Sequence, residues 1–481
     1  MLQSHEAFLQ YRLKSGQQKA AFIRAIAQEI EALGDTLIKT AQAESHLPEA
    51  RLLGERGRTC MQLRSFADLV AEGSWVDATI DTAQPNRQPL PKVDLRKISV
   101  PIGPVVVFGA SNFPFAYSTA GVDPASAWAA GCSVVVKAHS AHPQTSELVA
   151  QAIHRAVAQT DMPEGVFIHI SDTSFEAGQA LVSHPLTKAV GFTGSFAGGK
   201  ALFDLANQRP EPIPVFAEMG STNPVVLLPA YLAQNTDATA KQYAGSITLG
   251  MGQFCTKPGL IFGIESESLT QFIQTLATEI TQIQPQLMLH GGIAAAFRKN
   301  REKILTQDGV TKEAETNGEA NVDVGIPSMA TVKASTFLQN TILHQEVFGP
   351  FALVVECKNV AELEESLSHL EGQLTCTLMA SSQDLQQHTQ ITEILGLKCG
   401  RLILNGVPTG VEVCPAMQHG GPFPASTDGR FGSVGSHAIR RFVRPLSRQG
   451  FADEFLPDEL KNSNPLNIWR MVDSEWTKRV I

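Results

Sequence analysis

The sequence contains no run of about 18 consecutive apolar residues, which is the length that a membrane-spanning helix requires. Residues 1–30 are also too polar to hold the apolar core of a secretion signal. These two absences predict a cytoplasmic protein with no membrane partner.

Cysteine is scarce and follows no paired pattern. The 481 residues include seven cysteines, with no C-x-x-C pair and no cysteine–histidine spacing typical of a metal site. Their odd number favours free thiols in a reducing compartment. We therefore predict neither a disulfide framework nor a bound metal.

An excess of positive charge is absent as well. The net charge is −9, and Lys and Arg are scattered along the chain, so we expect no nucleic-acid partner. The hydrophobic share of 43% is ordinary for a globular protein, and the length exceeds the roughly 250–300 residues at which one core stops growing. We expect two or three structural units and a small-molecule ligand.

Helical patterns open the chain. Between residues 15 and 70, apolar residues recur at helical spacing and predict two or three amphipathic helices. Residues 81–100 are charged and contain prolines. This composition is typical of a linker, or of an edge hairpin that projects toward a partner subunit.

From residue 104 the pattern changes to short apolar runs that alternate with helices of small residues. Such runs are typical of a parallel sheet covered on both faces. The predicted strands lie within 104–110, 132–139, 166–170, 189–193 and 224–228, and a second series lies at 259–264, 351–356, 376–380 and 401–406. We predict a doubly wound α/β fold, in which ligands bind beyond the carboxyl ends of the strands.

Two polar side chains follow predicted strands. Asn112 stands where a side-chain amide can donate to a developing oxyanion, or can simply cap a turn before a proline. Glu218 is flanked by apolar neighbours, and burial there would raise its pKa toward neutrality, as a general base requires. The alternative for Glu218 is a surface or capping role.

Glycines and a cysteine mark three loops. Residues 194–199 form a glycine-bearing strand-to-helix turn, which can bind phosphate or can be an ordinary turn. Residues 418–435 form a loop rich in glycine, proline and serine, and loops of that length are usually functional or disordered. Cys255 lies between two glycine-bearing turns, although most cysteines are small packing residues.

Together these segments resemble the aldehyde dehydrogenase superfamily. The family's blocks are matched in order by Ser-Asn-Phe-Pro (111–114), Val-Val-Lys (135–137), Phe-Thr-Gly-Ser (192–195), Glu-Met-Gly (218–220), Gly-Gln-x-Cys (252–255) and Glu-Val-Phe-Gly-Pro (346–350). The resemblance implies a Rossmann-type NAD(P)-binding domain (1–80 and 101–220), an α/β catalytic domain (221–445) and a small oligomerisation element (81–100 and 446–481). It also implies a homodimer or homotetramer.

The resemblance assigns the chemistry to three residues. Cys255 would attack the aldehyde carbon as a thiolate, so that oxidation proceeds through a thiohemiacetal and a thioester. Asn112 and the backbone N–H of Cys255 would bind the oxyanion. Glu218 would activate the water that releases the acid.

The resemblance also assigns the cofactor residues. Lys137 would bind the adenosine ribose, Glu346 the nicotinamide ribose, and Phe348 would pack beside the nicotinamide. Gly194, Ser195 and Gly199 would form the turn that meets the pyrophosphate. Many family members carry a glutamate three residues after the lysine, where this chain has Ser140. Without that carboxylate, and with His139 or Lys137 available to attract a 2′-phosphate, we expect NADP to be accepted as well as NAD, or even to be preferred.

Finer features are similar to the α-ketoglutaric semialdehyde (2,5-dioxopentanoate) dehydrogenase branch. They are Ala-Ser-Asn at 110–112, the sequences at 253–256 and 413–424, and the ending at 464–473. This similarity implies oxidation of 2,5-dioxopentanoate to 2-oxoglutarate. Candidate substrate-pocket residues are Phe113, Phe254, Thr256 and Arg430, whereas Cys414 and the other cysteines are expected to be structural.

Other functions stay open at this point. One is an NADP+-preferring long-chain or broad-specificity aliphatic aldehyde dehydrogenase. Another is a CoA-acylating enzyme, against which the presence of the water-activating Glu218 argues. A third is a non-catalytic binding protein on the same scaffold, and the retention of Asn112, Glu218 and Cys255 together argues against it.

Overall fold

Among the described residues the strands form four β-sheets: two large sheets of five and seven strands, a mixed five-stranded sheet here called the small sheet, and a two-stranded pair. The computed structural model describes residues 1–172, 174–318 and 322–481. Its helices are α1 Leu2–Tyr11, α2 Gly16–Ala32, α3 Gly34–Ser45, α4 Glu49–Glu72, α5 Val122–Ala130, α6 Pro143–Gln159, α7 Phe175–Ser183, α8 Phe196–Asn207, α9 Pro229–Thr248, α10 Glu267–Thr281, α11 Gly291–Leu305, α12 Ala334–Gln339, α13 Val360–Ser368, α14 Ser382–Gln387 and α15 Thr389–Lys398.

The strands fall at nearly all of the predicted apolar runs. They are β1 Thr79–Asp81, β2 Leu95–Pro101, β3 Val105–Phe108, β4 Val134–Lys137, β5 Phe167–Ile170, β6 Ala189–Thr193, β7 Val215–Glu218, β8 Val225–Leu227, β9 Leu260–Ile264, β10 Gln286–Leu287, β11 Thr311–Glu315, β12 Val324–Gly325, β13 Ser328–Lys333, β14 Phe351–Cys357, β15 Gln373–Met379, β16 Cys399–Leu404, β17 Val443–Gln449, β18 Arg470–Val472 and β19 Glu475–Thr477.

The first large sheet is parallel and has the order β5-β4-β3-β6-β7. Because β3 lies at its centre and the chain winds outward in both directions, this is the predicted doubly wound arrangement. Strands β3 and β4 are runs of buried valine, as expected where helices cover both faces. Trp128 on α5 is fully buried, and its ring packs edge-on against Phe22 and Phe167.

The second large sheet has the order β11-β13-β14-β9-β8-β15-β16, and all of its pairs except β11–β13 are parallel. Its core holds Phe262, Phe297 and Phe337. The α/β fold class is therefore confirmed. The exact division of the chain into domains stays a prediction.

The small sheet has the order β17-β2-β1-β18-β19 and joins the stretch around residue 81 to the last strands of the chain. Strands β1 and β2 pair antiparallel, so residues 81–100 belong to a hairpin rather than a linker, but both strands lie inside the sheet and not at its edge as predicted. Within the described ranges, no helix combines the length and apolarity needed to cross a membrane.

A buried ion pair connects the segment that follows the 418–435 loop to helix α5, which packs on the first sheet. Arg441 Nη1 lies 2.7 Å from Asp123 Oδ1 at the start of α5, and both side chains are almost completely buried. Burial raises the pKa of Asp123, and the charge of Arg441 opposes that rise. Removal of either side chain would therefore leave the other charge buried without a counter-ion.

We predict that Arg441→Met destabilises the protein by about 3–5 kcal/mol, because it leaves a buried carboxylate without a counter-ion. The control is Arg440→Met, which removes a half-exposed ion pair with Asp77 and is expected to change stability by less than about 1 kcal/mol. Thermal unfolding of the two variants gives the comparison. Equal shifts in midpoint would contradict the importance of the buried pair.

Candidate active site

A tight turn positions Cys255 after α9. Gly250, Met251 and Gly252 have φ values of 54°, 55° and 62°, so three successive residues are left-handed. A β-carbon on Gly252 would lie 2.3 Å from the carbonyl oxygen of Gly349. Only glycine fits this approach, which brings the cysteine loop against the loop that contains Glu346.

Two asparagines fix the backbone on either side of the cysteine. The Nδ2 of fully buried Asn223 donates to the carbonyl oxygens of Cys255 (2.8 Å) and Lys257 (3.0 Å). The Nδ2 of Asn112 donates to the carbonyl oxygen of Gln253 at 3.1 Å. The structure thus brings the predicted Asn112 to the cysteine loop, with its amide buried beside the chain segment that precedes the sulfur.

Cys255, Glu218 and His419 form one cluster. The Sγ of Cys255 lies 3.5 Å from Nε2 of His419, and the same nitrogen lies 3.0 Å from Oε1 of Glu218. Ser433 donates to the other carboxylate oxygen at 2.5 Å. Glu218 ends β7, whereas His419 and Ser433 belong to the loop predicted to be functional. Sequence reasoning found the loop but missed both residues.

The pKa of Glu218 differs from the expectation. Burial alone raises it, as predicted, but the charge of His419 and hydrogen bonds from His419, Ser433 and Cys255 outweigh burial, so the pKa of Glu218 is lowered. The prediction of a raised pKa was wrong because it included no partner for the carboxylate. Glu218 is a stable anion at neutral pH.

The same anion affects the thiol. Burial, followed by the charge of Glu218 and a hydrogen bond to it, raises the pKa of Cys255 well above the ordinary value of a thiol. Cys255 is therefore a protonated thiol at neutral pH, and it forms a hydrogen bond with Glu218.

The predicted phosphate turn has the expected local structure. Strand β6 ends at Thr193, and Ser195 caps α8 by accepting a hydrogen bond from the N–H of Gly198. Gly199 has a different environment, because a β-carbon there would lie 2.7 Å from the Met219 side chain. This glycine allows α8 to pack closely on the residue that follows Glu218.

Lys137, His139 and Ser140 lie at or just after the end of β4. Burial lowers the pKa of Lys137, and Asp172 opposes that change. Burial and the neighbouring His142, His290 and Lys137 lower the pKa of His139 to about 3. His139 is neutral at pH 7, so its side chain offers no charge to a phosphate, contrary to the expectation. Ser140 is exposed.

Lys257 and Glu346 interact electrostatically beside the cysteine loop, with Lys257 buried and Glu346 half-buried. Burial raises the pKa of Glu346 to about 7 against the opposing charge of Lys257, and burial lowers the pKa of Lys257 to about 8. The ammonium of Lys257 donates to the carbonyls of Val347 and Phe351. A β-carbon on Gly220 would meet Glu346 Oε2 at 2.4 Å, so Glu346 packs beside the strand end that carries Glu218. Phe348 is half-buried in the same loop.

The substrate candidates fall into two groups. Phe113 and Phe254 form an edge-on aromatic pair, with ring centroids 5.8 Å apart, and Phe254 directly precedes Cys255 in the catalytic loop. Thr256 is buried next to Cys255. Arg430 lies apart from them, since its side chain is 81% exposed and its guanidinium bonds to Asp428. A different arginine, Arg51, contacts the two rings.

Proteins similar in sequence are aldehyde dehydrogenases. The aldehyde dehydrogenase family matches residues 1–445. Alpha-ketoglutaric semialdehyde dehydrogenase 2 of Azospirillum brasilense is 51% identical over 473 residues, which cover 98% of this chain and 90% of the relative. The alpha-ketoglutaric semialdehyde dehydrogenase of Acinetobacter baylyi is 46% identical over 476 residues, or 99% of this chain and 90% of that protein.

Solved structures share the fold. Aldehyde dehydrogenase 21 of Physcomitrella patens, in complex with the product succinate, has a TM-score of 0.77 at 17% identity, covering 94% of this chain and 90% of that one. A variant betaine aldehyde dehydrogenase of Staphylococcus aureus, in complex with NAD+, also has a TM-score of 0.77 at 17% identity, covering 95% and 90%. At this identity the likeness concerns the fold alone.

We predict that iodoacetamide alkylates Cys255 slowly at neutral pH in the cofactor-free enzyme and that the rate keeps rising into the alkaline range. Glu218→Gln removes a negative charge that raises the thiol pKa, so alkylation at neutral pH should become severalfold faster. Peptide mass spectrometry measures the rate, and Cys255→Ala identifies the labelled site. A slower reaction in Glu218→Gln would show instead that the carboxylate promotes thiolate formation.

Proposed function

The chain belongs to the aldehyde dehydrogenase family, and from this premise we propose that its physiological reaction is the oxidation of 2,5-dioxopentanoate to 2-oxoglutarate. As an NAD(P)-dependent aldehyde dehydrogenase, it converts an aldehyde to an acid. The cluster of Cys255, His419 and Glu218 carries the proposed mechanism. The choice of substrate is supported by the two semialdehyde dehydrogenases at 51% and 46% identity.

The first step forms a bond between Cys255 Sγ and the aldehyde carbon. The thiol proton leaves toward the carboxylate of Glu218, which forms a hydrogen bond with the sulfur. The aldehyde oxygen becomes an oxyanion, for which Asn112 and the N–H of Cys255 are the proposed donors. Because the proton acceptor is already in place, no separate ionisation of the thiol is needed before attack.

The proposed cofactor residues offer a donor set that fits NAD(P)+. Lys137 ends a strand, the N-terminus of α8 presents backbone N–H groups, and Glu346 is an acceptor for ribose hydroxyls. NAD(P)+ held by these residues would supply the acceptor for the hydride that leaves the thiohemiacetal carbon. The protein's part is to hold that carbon on Cys255 in a fixed position.

The last step hydrolyses the thioester on Cys255. The proton taken up in the first step passes to solvent once the thioester has formed, so Glu218 is again ionised and can accept a proton from water. The acid leaves, and the proton returns to the sulfur. A water-activating carboxylate at this place supports hydrolysis over transfer of the acyl group to CoA.

We also propose that both NAD+ and NADP+ are accepted. The exposed Ser140 presents no carboxylate to repel a 2′-phosphate. His139 is neutral at pH 7, so Lys137 is the cation of this group. One cation and the absence of a repelling carboxylate at residue 140 support binding of NADP+ but not a strong preference for NADP+ over NAD+.

We propose that the protein forms a homo-oligomer through the surface of the small sheet. Several large apolar side chains on or next to its strands are exposed, among them Trp469, Trp476, Phe455 and Leu95. Exposed apolar area of this kind is typical of a surface that another subunit covers. Sedimentation of the purified protein measures the assembly.

The substrate proposal predicts a higher kcat/KM for 2,5-dioxopentanoate than for pentanal, which has the same chain length without the carboxylate and ketone. NAD(P)H formation with each aldehyde, and with each cofactor, measures the difference. A long-chain aldehyde is the third substrate to test. Preference for that aldehyde would overturn the substrate assignment and would favour the aliphatic alternative.

The role of Glu218 predicts a burst in Glu218→Gln. One NAD(P)H per active site should still form, because loss of the carboxylate charge lowers the pKa of Cys255 and lets the thiol ionise to solvent. Steady-state turnover should then fall by about 10²–10⁴-fold because hydrolysis lacks its base. Rapid-mixing absorbance measures both phases, with Cys255→Ala as the control that forms no NAD(P)H. Undiminished steady-state turnover would contradict the assignment of this base.

A further inference from the structure

Arg51 lies in the wall of the active site with an incomplete set of partners. Its guanidinium carbon is 4.9 Å from the ring centroid of Phe113 and 4.6 Å from that of Phe254. One terminal nitrogen, Nη2, donates to the backbone oxygen of Asn112 at 2.7 Å. The other, Nη1, is shielded from solvent and has no hydrogen-bond partner.

Apart from its contacts with Asn112 and the two rings, Arg51 has no ion-pair partner among the described residues. Arg51 is the third residue of α4, where the helix dipole disfavours a cation. Burial lowers its pKa, while the charges of Glu55 and Cys255 oppose that change. Glu55 is one turn further along, but its Oε1 accepts from the N–H groups of Phe115 and Ala116 and its Oε2 has no hydrogen-bond partner. The carboxylate therefore does not bond to Arg51.

Arg51 is close to the reacting atoms. It bonds to Asn112, and one of the two rings it contacts belongs to Phe254, the neighbour of Cys255. A β-carbon on Gly250 would lie 3.3 Å from Nη1, so this nitrogen faces the turn that positions the cysteine. A negative charge on Cys255 would raise the pKa of Arg51, so the two groups lie close enough to interact electrostatically.

We propose that Arg51 binds the carboxylate of the substrate and so makes the enzyme selective for short aldehyde acids. This inference rests on the proposed oxidation of 2,5-dioxopentanoate. A carboxylate that enters beside Phe254 supplies the acceptor that Nη1 lacks, and the two rings hold the guanidinium plane in position. The aldehyde at the other end of the short chain is then directed to Cys255.

Two further arginines, Arg58 and Arg401, lie close enough to Cys255 to interact with it electrostatically. Arg401 donates to the carbonyls of Pro408 and Gly410, which occupies both of its terminal nitrogens. Arg58 lies over the ring of Tyr117, with its guanidinium carbon 5.9 Å from the centroid, and its Nε and Nη2 lack partners. Arg58 is therefore the alternative that the experiment must separate from Arg51.

The experiment measures kcat/KM for 2,5-dioxopentanoate and for pentanal in the wild type and in Arg51→Met, Arg51→Lys and Arg58→Met. The readout is the ratio of the two values, because any disturbance of Asn112 or of folding affects both aldehydes. The matched control is Arg64→Met, which removes a cation of the same helix that pairs with Glu31 at the surface. All variants are compared as purified full-length protein with saturating cofactor.

Arg51→Met should lower the ratio by about ten- to hundredfold, mainly through a higher KM for the acid. Arg51→Lys should restore part of it, and Arg64→Met should leave it unchanged. An unchanged ratio in Arg51→Met, or a loss confined to Arg58→Met, would overturn the proposal. A wild type that does not prefer the acid would instead refute the proposed substrate, so the two failures are distinguishable.

Discussion

The interaction on which the site depends is the buried pair of Glu218 and His419. A carboxylate with almost no solvent exposure would normally become protonated, because water no longer stabilises its charge. His419 at 3.0 Å and the hydroxyl of Ser433 keep it ionised. The charge then holds the proton of Cys255 on sulfur and remains available as a base for water.

This pair also explains the position of the loop 418–435. The loop runs beside β7, with the N–H of Met219 donating to Ala425 and the N–H of Thr427 donating to Ala217. It thus extends the edge of the first sheet and brings His419 back to the end of the strand that carries Glu218. The cysteine arrives from the second sheet, on a turn that requires left-handed backbone. The reacting groups therefore depend on the packing of both sheets.

Much of this architecture was predictable from the sequence. The runs of valine predicted strands β3 and β4, because continuous runs of buried valine are typical of a parallel sheet covered on both faces. Strand β13 was missed, since Ser328–Lys333 mixes Met, Ala and Thr with polar residues and has no strong periodicity. The predicted rise in the pKa of Glu218 was wrong for a different reason, since the prediction included no partner for the carboxylate. Its partner lies about two hundred residues away along the chain, and only the folded structure shows their contact.

The central claim is that Cys255 carries the acyl group during turnover. Mass spectrometry of peptides from the wild-type enzyme, quenched in acid during steady-state oxidation of 2,5-dioxopentanoate, tests it directly. The account predicts the acyl mass of the product on the peptide that contains Cys255. Acylation of another cysteine, such as Cys414, or turnover without any acylated cysteine, would contradict it.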